Sequence, residues 1–182
     1  MAKYDSNAPI SVWVGNLGKY NEGELVGEWF SFPCEDFDEE WEGLMERIGI
    51  DYDRYEEVFC ADWERDIPGL KFSEYPDYEE LNSIACEWED LFDWQRDAVG
   101  IRMEFLGEDF DTALRYSDQV RIYRGCHNMT QVAEEWVEET GLLDRIPADL
   151  QCYFDYESYG RDMDIDGNFF YSNELGCIVE AY

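Results

Sequence analysis

Acidity constrains this chain more than any other feature. Asp and Glu number 45 against 13 Lys and Arg, a formal net charge of −32 with the single histidine neutral. Ionised carboxylates do not enter a core unpaired, so nearly all of these groups need solvated faces. Such a surface repels DNA, RNA and anionic lipid, which attract basic proteins, and it excludes a direct grip on any of them by bulk charge. It suits a basic partner, or a site that normally receives something acidic. A disordered acidic tail is excluded as well. Hydrophobic residues make up 45% of the chain and aromatic ones 17%, enough apolar surface to offset the entropy of ordering. A chain of 182 residues buries roughly 70% of the surface it exposes when unfolded.

No apolar run approaches the roughly 18 residues of a membrane span. The amino-terminal MAKYDSNAPI has no apolar signal core, so a cytoplasmic protein without membrane attachment is expected. Cys34, Cys60, Cys86, Cys126, Cys152 and Cys177 are scattered, with no CxxC pair and no zinc-ligand spacing around His127. Reduced thiols serving as small apolar residues are the expectation, with no metal or other cofactor.

Periodicity divides the chain into an α+β stretch, a helical stretch and a second α+β stretch. Ile10, Val12 and Val14 alternate as a strand, and Gly15 to Gly23 supply turn chemistry before a second strand over residues 25–32, closing a hairpin. Trp41, Leu44, Met45 and Ile48 form one helical stripe, stopped by Gly49. Residues 57–63 predict a third strand, and Pro68-Gly69 a boundary. Leu81, Ile84, Ala85, Trp88 and Leu91 predict a helix, followed by others over 94–106 and after Asp109. Val120, Ile122 and Tyr123 then read as a strand, and Met129 to Val137 as a helix that Gly141 stops. Pro147 opens another helix through Tyr156, and residues 169–171 and 178–182 make a terminal hairpin. The expected order is α+β over residues 1–67, helical over 68–118 and α+β over 119–182.

The acids are spread along the whole chain. Residues 35–66 hold 14 of them against three arginines, and residues 128–149 hold six against Arg145 alone. On the helix after Met129, Glu134 faces Glu138 and Glu135 faces Glu139 at i, i+4. Each such pair costs about 0.2–0.5 kcal/mol, where a Glu–Lys pair would help by as much. Lysine appears only at positions 3, 19 and 71, whereas a chain selected only to fold mixes signs on its solvated faces. Duplex DNA carries one charge per about 1.7 Å of axis, so this net charge matches roughly 54 Å, or about 16 base pairs. Aromatic residues interleave the acids, as at Phe37, Trp41, Tyr52, Tyr55, Phe59 and Trp63, and most of them belong to the core.

Other constellations are weaker. Asp162, Asp164, Asp166 and Gly167 match the start of a calcium loop, but the acid needed at its twelfth position is replaced by Asn173. An acidic calcium-binding module is the alternative reading. Gly15, Gly18 and Lys19 lack phosphate-loop spacing, and His127 has no serine-nucleophile motif beside it. Paired carboxylates of the glycosidase kind carry no specificity among so many acids.

The string Asn16-Leu17-Gly18-Lys19-Tyr20-Asn21-Glu22-Gly23-Glu24-Leu25-Val26-Gly27 resembles the amino-terminal signature of the ArdA antirestriction family. A second region agrees, with Glu139-Thr140-Gly141, Tyr153-Phe154-Asp155-Tyr156 and Tyr159-Gly160-Arg161-Asp162 in order. The resemblance implies a non-enzymatic DNA mimic of mobile genetic elements. As an elongated α+β chain of three small domains, it would occupy the DNA-binding channel of a type I restriction-modification enzyme and form a homodimer through the carboxy-terminal domain, 119–182. Leu142, Leu143, Asp144 and Ile146 map onto the family's leucine-and-acid stretch, a candidate for dimer contact or antirestriction function; Arg145 interrupts its acidity. The carboxylates expected to replace phosphates are Glu79, Glu80, Glu87, Asp90, Asp109, Asp111, Glu134, Glu135, Glu138 and Glu139.

Overall fold

In a computed structural model the described residues are 4–51 and 53–182, so Lys3 and Tyr52 lie outside them. The chain is α+β, with two three-stranded antiparallel sheets, one in each of two compact units, Met1–Gly100 and Ile101–Tyr182. The division falls inside the stretch expected as a middle domain, whose helices are shared between the two units.

In the first unit β1 (Ile10–Asn16) lies between β2 (Gly27–Phe32) and β3 (Val58–Arg65). The expected hairpin is present, with Val12 opposite Phe30, and the third strand pairs on the other side of β1. Ile10, Val12 and Val14 are fully buried, as a central strand requires. The hairpin connection is not a simple turn. It contains a short helix, α1 (Leu17–Asn21), because Asn16 caps it: its Oδ1 accepts from the Lys19 N–H at 3.0 Å. The same side chain donates to the carbonyls of Ile48 and Gly49, at 3.1 and 3.2 Å. One buried amide thus closes the end of α2 (Phe37–Ile48) while it starts α1. Gly49 takes the left-handed conformation at φ +79°, ending α2 where the sequence placed its stop.

After Pro68-Gly69 come α3 (Tyr78–Asp90) and α4 (Asp93–Ile101). The first buries Leu81, Ile84, Ala85 and Trp88, the expected stripe, and packs against β2. Asn82 clamps the chain leaving β2, accepting from the Cys34 N–H at 2.7 Å and donating to the Cys34 carbonyl at 3.3 Å.

In the second unit the helical path continues as a π-turn over Arg102–Leu106, then α5 (Phe110–Arg115). The sheet order is β4 (Val120–Tyr123), β6 (Cys177–Ala181), β5 (Phe169–Ser172), so the last strand is central and buried along its length. Cys177, Val179 and Ala181 face the π-turn, while Ile178 meets Tyr123, Cys126 and Val132. Arg102 is buried and forks onto Glu108 at 2.7 and 2.9 Å, donating also to the Tyr182 carbonyl at 2.7 Å.

The helix expected from Pro147 through Tyr156 is instead two helices, α7 (Ala148–Gln151) and α8 (Tyr156–Asp166). Asp155 causes the break, since its carboxylate accepts from the Ser158 N–H at 3.0 Å and the Ser158 hydroxyl at 2.7 Å and so starts a new helix. That helix packs on α6 (Met129–Thr140) at Gly160, where a Cβ would lie 2.4 Å from the Met129 carbonyl oxygen. Asp162, Asp164 and Asp166 therefore sit on a helix and not in a loop. At about 100° per residue, Asp162 and Asp166 share one face of this helix while Asp164 points to the other side, so the three do not converge as a calcium loop requires.

Candidate acidic recognition surface

Placement of the carboxylates decides what they can do. Among the described residues all but six of the 45 acids are exposed: Glu28, Glu40, Asp97, Glu108 and Glu135 are half-buried, and Glu180 is buried. Ion pairs draw on this set, among them Lys19–Glu24, Arg47–Glu28, Arg54–Glu22, Arg102–Glu108 and Arg121–Glu139.

In the first unit α3 presents Glu79, Glu80, Glu87 and Asp90 to solvent, opposite its buried stripe. Glu89 makes five acids on this helix. The span from Glu79 to Asp90 is about 16 Å at 1.5 Å per residue, over which duplex DNA would carry about nine phosphates. One helix thus reaches about half the linear charge density of DNA, so any imitation requires carboxylates from neighbouring elements too. Asp77 caps α3 by accepting from the Glu79 and Glu80 N–H groups at 3.0 and 3.1 Å.

In the second unit the expected positions differ in character. Asp111 is exposed. Asp109 caps α5, accepting from the Thr112 N–H at 2.8 Å, and that hydrogen bond holds its carboxyl below the usual carboxylate range. On α6, Glu134 and Glu138 are exposed, and the helix has no basic residue in its last turn. Glu135 is half-buried and accepts from the Cys126 thiol at 3.3 Å. Burial, with that carboxylate, pushes the thiol up to about 11. Glu139 is ion-paired with Arg121, whose guanidinium stacks 4.9 Å from Tyr123 and 5.0 Å from Trp136. Asp109, Glu135 and Glu139 are accordingly committed to local structure in a way the other seven are not.

The stretch after α6 divides. Leu143 is buried, whereas Leu142 and Ile146 are 45% and 38% exposed and Asp144 faces solvent. Leu150 and Tyr153 extend the exposed apolar set. Gln151 holds the turn together, donating to the carbonyls of Leu143 and Ile146 at 3.1 and 3.0 Å.

Two features had no signal in the sequence. Glu180 is buried on the central strand because the Tyr123 hydroxyl donates to it at 3.0 Å and the Tyr182 hydroxyl donates to its other oxygen. A cleft of about 650 Å³ opens in the first unit between the starts of α2 and α3. The six cysteines are thiols outside any disulfide, and His127 meets the Gly176 carbonyl at 2.9 Å. Among the described residues no group of His, Cys, Asp and Glu side chains is arranged to hold a metal, and no helix is long and apolar enough to cross a membrane.

The family model described as antirestriction protein (ArdA) covers residues 12–175 of the 182-residue chain. No curated protein shows a significant match.

Proposed function

The chain belongs to the ArdA antirestriction family, and on that premise we propose that it inhibits type I restriction-modification enzymes by standing in for DNA in their DNA-binding channel. The inhibition is competitive and non-catalytic. Exposed carboxylates take the positions of phosphates against Lys and Arg of the channel, and the field of the whole surface speeds encounter. Glu79, Glu80, Glu87, Asp90 and Asp111, with Glu134 and Glu138, supply most of this imitation. Asp109, Glu135 and Glu139 contribute chiefly by holding their elements in place. The observation that carries the reading is the exposure of nearly every acid on a chain with a net charge of −32.

The working form is a homodimer in the bacterial cytoplasm, carried there by a mobile genetic element. Leu142 and Ile146 are its candidate contacts, with Leu143 supporting them from the core. An exposed apolar group of this kind is a usual mark of an interface.

The test is cleavage of a DNA substrate by a purified type I enzyme with increasing amounts of the protein. Cleavage should fall, and extra DNA should restore it by competing for one site. Affinity should weaken as salt rises. Single Ala changes among the ten acids should do little, and block charge reversals should do much. Saturable binding of DNA and protein to the channel at the same time would overturn the mimicry.

A further inference from the structure

The cleft between the starts of α2 and α3 is walled by rings and rimmed by carboxylates. Phe37 and Trp41 stack with centroids 5.6 Å apart, and Trp41 meets Tyr78 at 4.4 Å. Tyr78 buries its hydroxyl without a hydrogen-bond partner, so what it offers the cleft is its ring. Asp38, Glu42, Asp77 and Glu79 surround these rings, all four exposed, and among the described residues no Lys or Arg lines the space. Its volume, about 650 Å³, lies within the range of ligand pockets, roughly 300–1,000 Å³.

The geometry points to a socket for an arginine side chain of a protein partner. This rests on the proposed reading that the partner is a basic DNA-binding channel, and it adds a preferred contact to an otherwise diffuse attraction. Charge selects the sign of the occupant, since four carboxylates repel an anion. The α3 amides, which could otherwise attract an anion to a helix start, are already taken by the Asp77 carboxylate. Ring chemistry selects the kind of cation. A guanidinium is weakly hydrated, lies flat against aromatic surfaces and forks onto carboxylates, whereas an ammonium is compact and strongly hydrated. Buried Arg and aromatic contacts are also where interfaces concentrate their affinity. Aromatics were expected to belong mostly to the core. Phe37 and Trp41 do pack on the buried Phe30, yet both stay half-buried and, with Tyr78, line the cleft.

The test uses the whole protein and two short peptides, acetylated tetra-arginine amide and tetra-lysine amide, at about 0.15 M salt, where the Debye length is about 8 Å. Binding is read by calorimetry and by the shift of the Trp41 indole resonance. The triple variant Asp38→Asn, Glu42→Gln, Glu79→Gln should lose about ten-fold in affinity for tetra-arginine. A control triple of equal charge change outside the cleft, Asp53→Asn, Glu56→Gln, Glu57→Gln, should lose less than about three-fold. Both triples exchange exposed carboxylates for amides of the same shape, and circular dichroism checks that the fold is kept. Tetra-arginine should also bind better than tetra-lysine. Equal losses from the two triples, equal binding of the two peptides, or an unmoved Trp41 resonance at saturation would each overturn the socket. The cleavage assay separates the two proposals. Full inhibition by a protein whose cleft ignores tetra-arginine sinks the socket alone, and a selective socket in a protein that leaves cleavage untouched sinks the mimicry.

Discussion

Replacing Glu138 by Lys should make the protein more stable and a poorer inhibitor. Glu138 is exposed in the last turn of α6, four residues after Glu134, and no basic residue occupies that turn. Removing the like-charged pair recovers about 0.2–0.5 kcal/mol, and a Glu–Lys pair in its better orientation adds a similar amount. Exchanging an anion for a cation near the negative end of the helix dipole contributes about 0.3–1 kcal/mol more. Helix propensity is almost the same for the two residues. The sum is about 1–2 kcal/mol at low ionic strength. Urea denaturation at about 0.01 M salt, where the Debye length is about 30 Å, should show the midpoint rise with the slope unchanged. At about 1 M salt the gain should shrink to less than half. On the proposed mimicry the same variant should weaken inhibition of a type I enzyme, because it would put a positive charge in the place of a phosphate. A carboxylate kept where it reduces stability is the expected trace of selection for binding. Loss of stability at low salt, or a gain untouched by salt, would refute the electrostatic argument. Stabilisation with unchanged inhibition would remove Glu138 from the recognition surface.

Three further outcomes follow from the packing and the caps. Asn16→Ala removes a fully buried amide that serves three backbone groups, and should lower stability by about 2–4 kcal/mol in urea denaturation; a loss under about 1 kcal/mol would show that water or another group replaces it. Gly160→Ala tests the contact of α8 with α6. Helix propensity alone predicts a gain of about 1 kcal/mol, but a Cβ 2.4 Å from the Met129 carbonyl oxygen should reverse the sign and lower the thermal midpoint. Acid should loosen the starts of α5 and α8, because the Thr112 and Ser158 N–H groups hold the carboxyls of Asp109 and Asp155 below their ordinary value of 3.8. A depressed folded-state pKa means a stabilising contribution complete above that value and lost as pH falls through the folded one. A carboxyl-carbon titration should place both midpoints below 3.8, and ordinary midpoints would remove the caps from the account.

Much of the architecture was legible because it is written in local periodicity. Leu44, Met45 and Ile48 face inward from α2, and Leu81, Ile84, Ala85 and Trp88 from α3, as their spacing requires. Gly49, Gly141 and Gly176 adopt positive φ where a helix or turn had to end. The family strings were legible too, and the fold gives some of their residues structural work. Asn16 is a double cap, Gly18 leaves room for the Tyr55 ring, and Gly160 lets two helices touch. The same strings say little about which acids meet a target. Exposed carboxylates share one chemistry, and nothing in their local pattern distinguishes Glu138 from Glu139.

The sequence by itself determined the sign and size of the charge, the order of helices and strands, and the family. Charge and element order follow from composition and from spacing along a few turns of chain, where neighbours in sequence are neighbours in space, and the family follows from the strings at 16–27 and 139–162. Tertiary structure alone decided the rest. It placed Arg121 against Glu139, buried Glu180 beneath two tyrosines, split the helix at Asp155 and turned a suspected calcium loop into part of α8. It also brought Trp41 and Tyr78, 37 positions apart, to the wall of one cleft. These outcomes depend on which faces pack together, and packing joins residues whose separation along the chain leaves no local pattern to read.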